Sequence, residues 1–181
     1  AKYHANWYQV DSWLPVQRRL RAMDKTGYSL SKGVETVCKS LPADFVPDVR
    51  PLTLSGANAQ YRGDVCAQAQ SIGTDVLFLR TPHRTQTTDP NVFADVAAVV
   101  GEYGYELLDL HDAFDTIGLD RCADFIDSDH LNTIGMEKFT VWFGRYLTGR
   151  YDLTGTHSET VTAEWERCAD FTTQTLPLSK K

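Results

Sequence analysis

Asp75-Val76-Leu77-Phe78-Leu79-Arg80-Thr81-Pro82-His83 is the stretch that decides the fold class. Its apolar run is too short for a helix and is bounded by a charge on either side. A run of this kind fits a strand buried on both faces, as in a parallel sheet, and Pro82 stops the ladder because it has no N–H to donate. Upstream, Tyr61, Val65, Ala69 and Ile72 recur at helical spacing, and Gly73 supplies a stop. Downstream, a polar loop from Arg84 to Pro90 leads to a second helix, with Phe93, Val96, Val100 and Tyr103 on one face and Gly104 at its end. Tyr105-Glu106-Leu107-Leu108-Asp109-Leu110 follows as a second strand. Helix, strand, helix, strand with short links predicts crossovers onto a small parallel sheet flanked by helices, an α/β domain.

Ala113 to Leu131 reads as irregular, with Asp115, Asp120, Asp124, Asp127 and Asp129 spread along it. A third helix then carries Phe139, Trp142, Phe143, Tyr146 and Leu147 at i, i+3, i+4, i+7 and i+8, with Gly149 expected to end it. A further helix is expected from Ser158 to about Thr173, with Val161, Trp165 and Cys168 on one side. Near the start, Trp13, Val16, Leu20 and Met23 form a short helical stripe, but Gly27, Gly33, Pro42, Pro47 and Pro51 make the region loop-rich. The expected organisation is therefore 1–51 as a loop-rich segment, 52–152 as the α/β core and 153–181 as a helix and tail.

The chain has 181 residues, a length suited to one domain, and 42% hydrophobic with 23% charged residues excludes a disordered or fibrous chain. Its 24 acidic against 18 basic residues give a net charge of -6, which argues against nucleic acid as a partner. No apolar run approaches the roughly 20 residues that cross a bilayer. Ala1 to Val10 is aromatic and polar, unlike a signal peptide, and the chain does not begin with Met. Cys38, Cys66, Cys122 and Cys168 include no C-x-x-C pair. Cys66 is expected as a small buried hydrophobe, and the state of the others stays open. Arg121-Cys122-Ala123-Asp124-Phe125 recurs as Arg167-Cys168-Ala169-Asp170-Phe171, but the flanks differ and no repeat architecture follows.

Chemistry concentrates in Phe125-Ile126-Asp127-Ser128-Asp129-His130-Leu131-Asn132-Thr133-Ile134-Gly135, directly before the aromatic helix. A turn there can fold the Asp127 carboxylate back onto the His130 ring. A carboxylate on one ring nitrogen fixes the tautomer and leaves the other nitrogen as a base. Solvated acidic residues capping a helix are the plainer reading of the same letters.

The order of elements, with Ile117-Gly118-Leu119-Asp120 and then Asp127-Ser128-Asp129-His130-Leu131-Asn132, resembles the C-terminal half of the SGNH/GDSL hydrolase superfamily. The likeness covers roughly residues 52 to 152 and is nearest to cell-envelope members related to the D-alanyl-transfer proteins of lipoteichoic acid synthesis. It implies a three-layer, flavodoxin-like α/β fold, here an incomplete SGNH domain, with catalytic groups at the C-terminal ends of the strands. By position His130 would be the base and Asp127 its orienting carboxylate, preferred over Asp129. It further implies an ester hydrolase or O-acyl transferase acting on an acylated carbohydrate or cell-envelope polymer, extracytoplasmic or envelope-associated, needing no cofactor.

The family's nucleophilic Ser, in a turn after the first strand, has no counterpart here, since none of the serines follows an apolar strand. Gly56-Ala57-Asn58 has the letters of an oxyanion element, with Asn58 as the candidate donor. The preferred expectation is that this chain is the C-terminal portion of a longer protein whose N-terminal segment brings the Ser; as a whole protein, residues 1–181 would show no esterase activity. The alternative is a non-catalytic envelope-associated binding or structural module. His83 and Arg84 after the first strand, and His111 and Asp112 after the second, are candidate pocket residues with Asp129 and Asn132. A metal reading of His111, Asp112, Asp127 and His130 has no characteristic spacing. Cys122 as a nucleophile lacks an electropositive setting in the sequence. Trp7, Tyr8 and Trp13 could stack on sugars or cover a core edge. No Gly-rich phosphate loop is present.

Overall fold

A computed structural model describes residues 37–153 and 155–175; the Trp13–Met23 stripe and the Trp7, Tyr8 and Trp13 cluster lie outside them. The chain divides into two compact units, of which Val37–Asp152 is one. Its elements are β1 (Val49–Arg50), α1 (Gly56–Ser71), β2 (Leu77–Arg80), β3 (Gln86–Thr87), α2 (Val92–Gly101), β4 (Glu106–Asp109), α3 (Phe114–Ile117) and α4 (Thr133–Arg150). The other unit contributes α5 (Glu159–Thr175), on which Cys168 is buried and Trp165 exposed. No helix among the described residues is long and apolar enough to cross a membrane.

The two expected strands form and pair in parallel, with Leu77 opposite Glu106, Phe78 opposite Leu107, Leu79 opposite Leu108 and Arg80 opposite Asp109. Helix α2 makes the crossover and buries Val92, Val96 and Val100, one residue per turn. A second parallel pair joins β1 to β3, Val49 opposite Gln86 and Arg50 opposite Thr87. The described fold is thus α/β, with two small parallel two-stranded sheets flanked by helices.

Residues 37–51 belong to the compact unit that starts at Val37 and are tied to its far end. Val37 exchanges backbone and hydroxyl contacts with Thr133, and Leu41 N–H donates to the Cys122 carbonyl at 3.0 Å. Leu41 also joins Leu110, Phe114, Ile117, Leu119 and Phe125 in one buried cluster, against which Leu79, Leu108, Leu131, Phe139 and Trp142 pack. The core therefore sits just beyond the C-terminal ends of β2 and β4. The irregular stretch supplies much of it, through the short α3 and the left-handed Gly118 (φ 81°) that closes it. That conformation suits glycine because it has no Cβ.

Helix α1 keeps only Ala69 of its expected face buried. Tyr61 and Ile72 are exposed, and the buried residues are Gly63, Cys66 and Ala69. The cause is close packing: a Cβ on Gly63 would stand 3.0 Å from the Tyr103 hydroxyl, so α1 meets its neighbour through its smallest side chains. Gln70 Nε2 adds a hydrogen bond to the Tyr103 carbonyl at 2.9 Å. Burial pushes the Cys66 thiol pKa up, as suits a buried hydrophobe. On α4 the aromatic stripe forms as expected but is only half-buried, and its rings stack along the helix: Phe139 on Phe143 at 5.6 Å, Trp142 on Tyr146 at 5.6 Å. The helix runs one residue past Gly149, to Arg150.

Candidate functional site

The turn before α4 is closed by backbone. Phe125 and Leu131 form an antiparallel bridge, and Ile126 N–H donates to the His130 carbonyl at 2.9 Å. Inside this clasp, Asp127 Oδ1 accepts the N–H groups of Asp129 (2.8 Å) and His130 (2.9 Å). Aspartate bonding the backbone two and three residues on is the usual way such turns are fixed. The same carboxylate meets the imidazole, with Nδ1 2.9 Å from Oδ1 and 3.0 Å from Oδ2. A carboxylate only accepts, so Nδ1 carries the proton and Nε2 is the lone-pair nitrogen of the neutral ring. Burial opposes ionisation of Asp127, but the Asp129 N–H, then the His130 ring and N–H, outweigh it and hold the carboxyl below its ordinary range. The His130 side chain is 64% exposed.

The clasp stands on a rigid base. Asn132 is buried: its Oδ1 caps α4 at Gly135 N–H (3.0 Å), and its Nδ2 donates to the carbonyls of Ala123 (2.6 Å) and Lys39 (3.2 Å). These bonds tie the turn to the start of α4 and to the segment around Lys39. Asp124, nearly buried, accepts from Asp120 N–H at 2.7 Å and pairs with the Lys138 ammonium at 2.6 Å. Gly135 permits this contact, since a Cβ there would overlap the Asp124 carbonyl oxygen. The spacing Asp-x-x-His-x-Asn-x-x-Gly thus combines an exposed pair with the cap and the close approach that position it.

The remaining sequence candidates separate. Asp129 does not join His130; its carboxylate pairs with Arg50 at 2.7 Å and with the Thr85 hydroxyl. Ser128 is buried, its hydroxyl accepting from Asp48 N–H at 3.3 Å and its carbonyl from the N–H groups of Arg84 (2.6 Å) and Thr85 (3.2 Å). The Arg84 guanidinium turns away, with Nη1 3.3 Å from Cys122 Sγ and Nη2 3.5 Å from the Phe45 carbonyl. Cys122 therefore does have a cationic neighbour that the sequence did not reveal, although no contact joins it to His130. Asn58 is exposed in the first turn of α1, where its N–H donates to the capping Ser55 hydroxyl at 3.2 Å, and it makes no hydrogen bond to the pair. Among the described residues, no serine hydroxyl or cysteine thiol meets His130 Nε2.

His83 and His111 do come together, with ring centroids 4.4 Å apart, beside a depression of about 380 Å³ lined by Arg80, Asp109, His111, Asp112 and Ala113. Arg80 lies over the Phe93 ring at 3.5 Å, pairs with Asp109 at 3.1 Å and donates Nε–H to His83 Nε2 at 3.2 Å. Burial, then His111 and Arg80, push the His83 imidazole from 6.5 down to about 4, so it is neutral near pH 7. Sequence reasoning missed Thr85, Arg50 and Arg80, the residues that link these loops. A signal for Arg80 was present: the two strands end in charges of opposite sign.

The four cysteines are free thiols. No group of three or more His, Cys, Asp or Glu side chains among the described residues converges as metal ligands. Comparison with protein-family models, with curated proteins and with solved structures finds no match for the chain.

Proposed function

We propose that this chain supplies the base half of an SGNH-type acyl-transfer site, in an ester hydrolase or O-acyl transferase acting on an acylated carbohydrate or cell-envelope polymer. The observation that carries the reading is the Asp127–His130 pair: a carboxylate bonded to Nδ1 and an exposed Nε2, on a braced turn near the C-terminal ends of two parallel strands. Open α/β sheets gather functional groups at that end. In the finer form of this reading, β2 and β4 belong to a three-layer, flavodoxin-like sheet.

The chemistry follows from the pair. Nε2 takes the proton of a serine hydroxyl as its oxygen attacks the ester carbonyl carbon, and Asp127 stabilises the imidazolium that forms. The imidazolium then returns the proton to the departing alkoxide. Water or a second hydroxyl, deprotonated by the same nitrogen, releases the acyl group. The serine and the donors to the oxyanion come from outside the described residues. A binding or structural module is the second reading, favoured by the exposed His130 ring, beside which no nucleophile stands among the described residues.

The test is intact-mass analysis after fluorophosphonate treatment, applied to the 181-residue chain and to the product of the complete coding sequence, each beside His130→Ala. The expected result is one adduct on the complete product, lost in the variant, and none on the 181-residue chain. An adduct indifferent to His130→Ala removes His130 from the chemistry. A complete product that never labels leaves the binding module.

A further inference from the structure

The His111 ring lies between two hydrogen-bond acceptors. Nε2 is 3.1 Å from the Thr85 carbonyl oxygen, and Nδ1 is 3.1 Å from Asp112 Oδ2. Neither partner has a proton to give at neutral pH. A neutral imidazole has one N–H and can make only one of these bonds; the imidazolium makes both. Thr85 is itself a junction and is nearly buried. Its N–H and that of Arg84 donate to the Ser128 carbonyl, and its hydroxyl bonds Asp129. Ser128 and Asp129 are the two residues enclosed by the Asp127–His130 turn.

We propose that His111 is a proton-dependent positioning residue: doubly protonated, it ties the turn after β4 to Thr85 and thereby steadies the Asp127–His130 turn, and loss of the Nε2 proton, with Nδ1–H kept on the Asp112 carboxylate, releases Thr85. Its relevance to catalysis rests on the function proposed above; the tie itself does not. The charged and titratable groups around the ring are Asp112 and Asp109 on its own turn, the latter accepting His111 N–H at 3.0 Å, and Arg80 and His83 from the end of β2. Asp129 is reached through Thr85. His83 does not take the same role, because its Nε2 accepts from Arg80 and burial lowers its imidazole to about 4, so it stays neutral near pH 7.

The test is amide hydrogen exchange at Arg84 and Thr85, the donors to Ser128, followed by NMR from about pH 5.5 to 8 with intrinsic rates divided out. Protection should fall about tenfold across that window in the parent, the worth of one charge-assisted hydrogen bond. In His111→Gln, whose amide keeps a donor for Thr85 without titrating, the profile should be flat. Asp112→Asn should shrink the fall by about half or more and decides the matter if His111→Gln does not fold. A flat parent profile, or one unchanged in either variant, overturns the proposal. Persistence of the fall in His130→Ala is expected, because the tie does not pass through that ring; loss of the fall there would assign the titration to His130 and also overturn it. None of these readings depends on fluorophosphonate labelling, so the tie and the proposed function fail separately.

Discussion

Gly135→Ala tests the link between the helix α4 and the turn it supports. The added Cβ would overlap the Asp124 carbonyl oxygen and stand 3.0 Å from Asp124 Cβ and 3.0 Å from Leu131 Cδ2. The leucine tip can rotate away, but Asp124 cannot. Its carbonyl accepts Asn132 N–H at 2.9 Å, and its carboxylate is held by Asp120 N–H and Lys138. Overpacking of this kind costs about 1–3 kcal/mol. Displacing the first turn also weakens the Asn132 cap, worth about 1 kcal/mol. Set against a helix-propensity gain of about 1 kcal/mol, the net loss should be about 1–3 kcal/mol. Gly144, on the same helix, has nothing within 4 Å of its would-be Cβ. Gly144→Ala should therefore stabilise by about 0.5–1 kcal/mol. Urea unfolding followed by circular dichroism, compared at constant m-value, measures both. A Gly135→Ala variant within about 0.5 kcal/mol of the parent would refute the close-approach argument.

Asn132→Ala removes a cap and two further hydrogen bonds, to the carbonyls of Ala123 and Lys39, so thermal unfolding should show a loss of about 1–3 kcal/mol; a loss below about 0.5 contradicts its role as the base of the turn. Lys138→Met leaves the Asp124 carboxylate buried without its cation and should cost about 2–3 kcal/mol in urea, less than a fully buried pair because the lysine is partly exposed. On acidification two groups act in the same direction. His83, lowered to about 4, contributes stability that is complete above about pH 6.5 and lost as pH falls towards 4; the shift corresponds to at most about 3 kcal/mol, reduced by solvent screening to about 1–2. Asp127, also lowered, adds a loss below about pH 4 as its carboxyl protonates. His83→Gln should remove the component between pH 6.5 and 4, which urea midpoints across that range would show. In a labelling-competent complete product, Asp127→Asn should slow fluorophosphonate reaction about 100-fold or more, read as the rate of adduct formation.

Strands β2 and β4 and helices α1, α2 and α4 were legible because each leaves a period or an uninterrupted apolar run in the sequence. The pairing of Asp127 with His130 was legible for a similar reason: three residues is a distance a turn can close. What escaped depends on backbone or on small residues. The face that α1 buries is set by the room at Gly63, which a search for large apolar side chains reads in reverse. The pair β1–β3 has two residues per strand, too few to show alternation. The link from His111 through Thr85 to Ser128 runs through peptide groups, which any residue possesses, so it left no mark. Asn132 and Gly135 were visible as letters, but their work as cap and contact point needed coordinates.

The parallel ladder ends with Arg80 opposite Asp109. A slip of one residue would set Arg80 opposite Leu108 and turn every side chain of β2 to the other face. The guanidinium would leave Phe93 and His83 together, and the imidazole pair at the strand ends would come apart. An error in alignment that a longer ladder could absorb thus dismantles the loop junction here, so the oppositely charged ends act as a built-in check on how the two strands zip.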